Sequence, residues 1–463
     1  MSLDADVCYR AVLARDARWD GRFFVASAAT GTYCRPHCRA RKPARAGARF
    51  FRTAAEAERQ GFRACFRCRP ERAPGCAHVD ALPRIVAAAV ARIDAGALAD
   101  GSIDELAGGL GVTARHLRRA MRAELGIAPA ELARSRRLAL ARQLVEESAL
   151  TMTEIAFASE FRSLRRFNAL FAERYGVAPS DVRRRARADA GESVTVRLEH
   201  RAPYAWGATL AYLAGEHVGG VDAVADGVWA RTVRVGPHRG WVAAYPAASR
   251  PEIVVEVSLS LVPALAGVVA RVRRLFDVDA DIGAIEAHLR GDRALARALT
   301  PGLRAPGAFD GFETAARIVL GARAAGRLAG AFGGAFALPY AGLSRTFPGA
   351  DEVARLAPAE LARAGILGAR ARAVVDLARA AAGGEISLEP GGDDDDALAR
   401  IVGPAAAEAI AARALRRADA FPAKHLGLAT IDPTRADAWR PWRAYAAMHL
   451  LAAARRRTRR RTR

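Results

Sequence analysis

Apolar residues recur at helical intervals in two stretches of the chain that lie about 50 residues apart. The first begins at Ser102 and reads SIDELAGGLGVTARHLRRAMRAELGIAPAEL, with Ser102 and Glu105 spaced as a capping box. The second begins at Thr151 and repeats the order: Glu-Leu-Ala at 105–107 returns as Glu-Ile-Ala at 154–156, and Gly-Ile-Ala-Pro at 126–129 as Gly-Val-Ala-Pro at 176–179. Two short helix pairs are therefore predicted, joined by a longer helix near RSRRLALARQLVEES. From Arg183 to Ser193 the chain is polar and has no apolar period, which marks a linker, placed at 189–193. Beyond it VTVRLEH, WARTVRV, GWVAAYP and EIVVEVSL alternate or run β-branched, and Ala-rich helical segments continue to about 454. A small antiparallel sheet followed by an all-helical domain is expected there.

A chain of 463 residues exceeds one ordinary core and suggests about three domains. Charge sharpens this division. The net charge is +22, and with only Lys42 and Lys424 as lysines the arginine excess is also what a GC-rich genome produces. Its placement separates the two explanations. Residues 1–188 carry 34 Arg/Lys against 20 Asp/Glu, whereas 189–454 carry 30 against 29. The first part is built for a polyanion. Residues 455–463 add seven arginines, either a solvated tail or a phosphate tether. No basic start followed by an apolar core opens the chain, and no run of about 18 apolar residues occurs, so a cytoplasmic protein is expected.

Six cysteines in a long chain of this kind argue for metal or catalytic thiols over a disulfide framework. Cys34 and Cys38 form C-x3-C, and after 26 intervening residues Cys65 and Cys68 form C-x2-C. That is the spacing of a tetrahedral four-cysteine zinc site, one Zn²⁺ per chain. His37 is a weaker competitor ligand, and Cys8 and Cys76 fall outside the pattern. Zinc keeps sulfur deprotonated at neutral pH, so such a site is either a scaffold or a nucleophile.

The run from CYRAVLARDARWDGRF through TGTYCRPHCRARK to GFRACFRCRPE resembles the N-terminal domain of the Ada family. The resemblance implies that Cys34 is both a zinc ligand and the irreversible acceptor of a methyl group from DNA methylphosphotriesters. Arg35, Arg39, Arg41, Arg63 and Arg67 would hold the DNA backbone, with Thr30, Arg41 and Arg67 the better candidates. Methylation takes the four-thiolate site from −2 to −1 and should tighten DNA binding, the family's route to transcriptional activation, with RNA polymerase the implied partner. The helical repeat resembles the AraC-type double helix-turn-helix, in its EIAF…F…RRF…F…YG-x-x-P spacing above all. Arg115, His116, Arg118 and Arg119 then lie on the first recognition helix, and Arg165, Arg166 and Asn168 on the second.

RAPYAWGATLAYLAGEHVGGVDAV, FETAARIVLGARAAGRLAGAFG, LSRTFPGADEVA and WRPWRAYAAMHLL together resemble the AlkA family of 3-methyladenine DNA glycosylases. That family implies a helix-hairpin-helix, base-stacking aromatics and one catalytic aspartate. Here the chain departs from the pattern. Of the hairpin's two glycines only Gly403 survives, Ala405, Ala409 and Leu451 fall on aromatic positions, and His425 falls on the aspartate. A histidine cannot supply the negative charge that an oxocarbenium-like transition state calls for. Asp419 and Asp432 are nearby, but Asp432 before Pro433 reads as a helix N-cap. Tyr212 and Trp206 remain as stacking candidates.

The expected architecture is multidomain α+β: a zinc-binding α/β domain at 1–78, an all-α double helix-turn-helix at 82–188, an AlkA-like α+β sheet domain at 194–306, a helix-hairpin-helix domain at 307–454 and the 455–463 tail. The leading reading is a single-turnover methyl acceptor and transcriptional activator on double-stranded DNA with a degenerate glycosylase domain. The alternatives are a bifunctional regulator that still excises alkylated bases, and a zinc-containing transcription factor without methyl transfer. No P-C-H-R motif for guanine O-methyl repair is present.

Overall fold

The computed structural model describes residues 4–74, 84–99, 101–183, 192–336, 342–392, 394–428 and 431–461. Cys76, the junction near 78–82 and most of the 189–193 linker lie outside them. The chain forms two compact units, one of Met1–Arg201 with Glu252–Ala270 and Val278–Ala280, the other of Ala202–Pro251, Arg271–Asp277 and Asp281–Arg463.

In the first unit, helix α1 (Ala5–Ala14) starts at Asp4, whose carboxylate accepts the N–H groups of Asp6 and Val7. Its apolar face sets Cys8, Ala11 and Val12 against Phe23 and Val25. Strands β1 (Phe24–Ser27), β2 (Thr32–Cys34), β3 (Ala48–Phe51) and, after helix α2 (Ala54–Arg59), β4 (Arg63–Ala64) form a sheet of order β3-β1-β2-β4. The β2–β4 pair is parallel, the others antiparallel.

Seven helices follow: α3 (Arg84–Asp94), α4 (Ile103–Gly108), α5 (Ala114–Leu125), α6 (Pro129–Glu147), α7 (Met152–Ala158), α8 (Leu164–Tyr175) and α9 (Pro179–Arg183). The sequence repeat is a repeat of helix ends. Ser102 and Glu105 close one capping box, Thr151 and Glu154 a second. Gly126 and Gly176 end α5 and α8 with φ of 74° and 73°, a left-handed turn that glycine adopts freely, and the prolines that follow open α6 and α9. Leu106, Leu117, Met121 and Leu132 fill the core of the first helix pair. This unit also contains β5 (Ser193–Glu199), antiparallel to a strand at Glu252–Ser258 with Glu199 opposite Glu252.

In the second unit, helix α10 (Trp206–Ala214) precedes an antiparallel meander of β6 (Asp222–Ala225), β7 (Val228–Val235) and β8 (His238–Pro246). Helices α11 (Gly311–Leu320), α12 (Ala322–Phe332), α13 (Gly368–Ala382), α14 (Asp395–Val402) and α15 (Pro404–Arg413) enclose an alanine- and leucine-rich core. The last helix, α16 (Arg443–Arg461), runs on through most of the arginine tail, where Arg455 donates to the Ala211 carbonyl. Among the described residues no helix is long and apolar enough to cross a membrane.

Candidate metal centre and nucleic-acid interface

The parallel register of β2 and β4 builds the metal centre. Thr32 lies opposite Arg63 and Tyr33 opposite Ala64, so one residue further on Cys34 and Cys65 leave the two strands side by side. The Cys65 N–H donates to the Tyr33 carbonyl at 3.1 Å and fixes that exit. Tyr33 is fully buried and donates its hydroxyl to Glu58 at 2.6 Å, which anchors β2 from beneath. One turn on from each strand, Cys38 and Cys68 complete the set, and all four sulfurs lie within 4.8 Å of one another. A tetrahedron with Zn–S bonds of about 2.3 Å has edges of about 3.8 Å, so these side chains fit zinc with small adjustments. The Arg35 and Ala40 N–H groups donate to the sulfurs of Cys68 and Cys38, each at 3.4 Å. Such bonds orient the ligands and temper their charge. Cys8 is no part of the centre: buried in the α1 core, its thiol is pushed up to about 11. His37 turns its ring toward Asp20, 3.8 Å away.

Thr30, Arg39, Arg41, Arg63 and Arg67, close in sequence to the cysteine-bearing segments, are exposed. Arg35 is not. Expected to hold DNA backbone, it is instead engaged within the protein: it is only 5% exposed, ion-paired with Asp20 at 3.2 Å and Glu199 at 2.5 Å, and donates to the Arg69 carbonyl at 2.9 Å. While both carboxylates hold it, this guanidinium is not offered to a phosphate.

On α5, Ala114, Leu117 and Met121 face inward while Arg115, His116 and Arg119 are exposed and Arg118 is half-buried. On α8, Phe167 and Phe171 face inward and Arg165, Arg166 and Asn168 are exposed. Both helices thus present their polar candidates to solvent. The sequence reading missed Arg122, exposed one turn beyond Arg118. It also missed the ion pairs that hold the cysteine-bearing domain to the helices. Arg142 of α6 reaches Glu71 at 2.6 Å with both side chains almost wholly buried, Arg72 reaches Glu147 at 2.7 Å and Arg69 reaches Glu146 at 2.8 Å. Sequence offers no signal for such partners, which come from distant charged residues.

In the second unit a cavity of about 210 Å³ is lined by Glu216, Trp229, Arg317, Arg413 and His425 among others. Its charges are locked in pairs. Arg413 reaches Glu216 at 2.6 Å and the Tyr212 hydroxyl at 2.5 Å, Arg231 reaches Glu313 at 2.6 Å, and Arg317 reaches Asp222 at 3.0 Å. Burial raises the Glu216 carboxyl, but Arg413 outweighs this and holds it below the usual glutamate range. Tyr212 is buried with its hydroxyl engaged, so its expected stacking role is corrected to a structural one. Trp206 is half-buried against Tyr204 and Phe276. Gly403 is the single residue between α14 and α15, and its φ of 82° explains why this glycine is kept. The two other acids are occupied: Asp419 pairs with Arg443 at 2.9 Å, and Asp432 caps the helix that begins at Pro433.

Three family models match this chain: the metal binding domain of Ada over residues 7–71, a helix-turn-helix domain over 106–185 and the AlkA N-terminal domain over 195–310. The probable bifunctional transcriptional activator/DNA repair enzyme AlkA of Mycobacterium tuberculosis is 37% identical, with 96% of each chain covered. DNA-3-methyladenine glycosylase 2 of Escherichia coli is 31% identical over 55% of this chain and 95% of its own length. The bifunctional transcriptional activator/DNA repair enzyme Ada of Escherichia coli is 46% identical over 16% of this chain and 22% of its own. With its zinc-binding cysteines, its paired helix-turn-helix and its glycosylase-like fold, the chain belongs to the family of AlkA-type bifunctional transcriptional activator/DNA repair proteins.

Proposed function

We propose that the chain senses DNA alkylation by taking one methyl group from a DNA methylphosphotriester onto Cys34, and that the methylated protein binds promoter DNA as an activator. The observation that carries this reading is the cluster itself. Cys34 is half-buried at the end of β2, within 4.8 Å of the other three sulfurs, and the exposed Arg39 and Arg67 lie beside Cys38 and Cys68 in the chain. Zinc held by Cys34, Cys38, Cys65 and Cys68 keeps the sulfurs as thiolates at neutral pH. The Cys34 sulfur attacks the methyl carbon in line with the ester oxygen. An S–CH₃ bond forms, the CH₃–O bond breaks, and its electron pair stays on oxygen to leave an ordinary phosphodiester anion. Arg39, Arg41, Arg63 and Arg67 hold the flanking phosphates, and the exposed residues of α5 and α8 read the promoter.

Peptide mass spectrometry after incubation with methylphosphotriester DNA tests the reading. One methyl on Cys34, absent from a Cys34→Ser variant, is expected; zinc-loaded, DNA-bound protein without the adduct would leave a zinc-containing transcription factor. The glycosylase-like unit does not excise bases by the family's route, because His425 stands where a carboxylate is needed and Ala405 and Ala409 offer nothing to stack. One observation favours a second reading. Glu216 lines the same cavity as His425 and is held ionised, so a displaced carboxylate could serve excision. Release of 3-methyladenine from alkylated DNA by the full chain, lost in Glu216→Gln, would establish it.

A further inference from the structure

Arg35 follows the cysteine proposed as methyl acceptor, yet its side chain is held by the first strand of the AlkA-type segment. Its Nη1 lies 2.5 Å from Glu199 at the end of β5 and 3.2 Å from Asp20, and its Nη2 donates to the Arg69 carbonyl just past Cys68. Its own N–H reaches the Cys68 sulfur at 3.4 Å. Arg35 therefore staples the two cysteine loops together, and Glu199 pins the staple. The second oxygen of Glu199 lies 3.3 Å from Arg72, which also binds Glu147 of α6 at 2.7 Å. A single carboxylate from the AlkA-type segment thus joins the metal centre to the long helix between the two recognition helices.

We infer that Glu199 is an intramolecular competitor for DNA phosphate: it occupies the arginine beside Cys34 until a DNA backbone displaces it, so the AlkA-type segment sets how readily the centre engages DNA. Carboxylate and phosphodiester are alternative partners of the same planar guanidinium fork, and one bound Arg35 cannot serve both fully. The device has a second use. Releasing Arg35 also frees one arm of the Glu199–Arg72–Glu147 chain, so engagement at the metal centre changes the charge balance against α6. It gives the AlkA-type segment a role at the metal centre that does not depend on base excision.

Glu199→Gln in the full-length, zinc-loaded chain tests this. The fold should survive, because Arg35 keeps Asp20 and Arg72 keeps Glu147. The variant should bind unmethylated duplex DNA about three- to tenfold more tightly at low salt. Its log K against log salt plot should steepen by about 0.9, the signature of one added phosphate contact. Adding Arg35→Gln should abolish both gains. Unchanged affinity and slope in Glu199→Gln, gains that persist without Arg35, or a fall in melting temperature and zinc content with no change of slope would each overturn the inference. The consequence for damage sensing rests on the methyl-acceptor reading, and the two fail separately. DNA binding that responds to Glu199→Gln in a chain that takes up no methyl would sink only the acceptor reading. Normal methyl uptake with an unaltered slope would sink only the competitor.

Discussion

Cys34 sits where the parallel pairing of β2 and β4 delivers it beside Cys65, and the two roles proposed for it, acceptor and zinc ligand, are lost together on substitution. Cys34→Ser removes the proposed acceptor and one of four zinc ligands; methyl uptake is expected to vanish and zinc affinity to fall, read by intact mass and metal content. Cys8→Ser, in the α1 core, should leave uptake intact and cost stability only, since a buried small hydrophobe is exchanged for a hydroxyl with no assured partner. Loss of methyl uptake in the Cys8 variant with zinc retained would overturn the assignment of acceptor. At this scale the sequence was legible in its cysteines, because short spacers confine ligand pairs to one turn. It was not legible at Arg35. Nothing adjacent distinguishes Arg35 from Arg39, which is exposed, since the difference is made by Glu199 in a segment read as another domain.

At the scale of elements, the helix-turn-helix was legible because its signals are local: caps, a left-handed glycine and a proline start recur in the same order. Ser102→Ala and Thr151→Ala each delete one capping box, at a cost of about 1 kcal/mol. Each should lower the melting temperature and weaken DNA binding, and unchanged melting in both would show that the caps are dispensable. Strand β6 was not legible, because DAVA is too short and too small in side chain to display alternation; its pairing with β7 supplies what its own sequence lacks. In α16, His449 is fully buried, accepts the Thr300 N–H on Nδ1, and is pushed down to about 4 by burial, with Arg456 and Arg290 adding to the effect. The unfolded chain takes up this proton near pH 6.5 and the folded one does not until about 4, so stability should be complete above pH 6.5 and fall between those values. The loss is on the order of 3 kcal/mol. Melting curves of the wild type and His449→Gln should therefore converge as pH drops from 6.5 to 4; parallel curves would sink the argument.

For the whole molecule, charge is the organising quantity. The division into a basic first part and a near-neutral second was legible from composition, and it matches where the exposed DNA candidates lie, all before Arg183. What composition could not show is how much arginine is spent internally: Arg35, Arg72, Arg142 and Arg174 are held by carboxylates within the first unit, and Arg231, Arg317 and Arg413 within the second. The count of 71 Lys and Arg therefore overstates the cations free to meet DNA, whereas the net +22 already counts each internal pair as zero. Methylating Cys34 takes the four-sulfur site from −2 to −1 while leaving every arginine in place. If repulsion between that site and the DNA phosphates is what weakens the unmethylated protein, the gain on methylation must be screened. The Debye length falls from about 10 Å at 0.1 M salt to about 3 Å at 1 M. Binding of methylated and unmethylated protein to one duplex, titrated from low to high salt, should show a clear preference for the methylated form at low salt that shrinks as salt rises. A preference that stays constant with salt would locate the switch in new contacts or altered shape instead of charge, and would move attention from the sulfurs to the Glu199 latch and the helices beyond it.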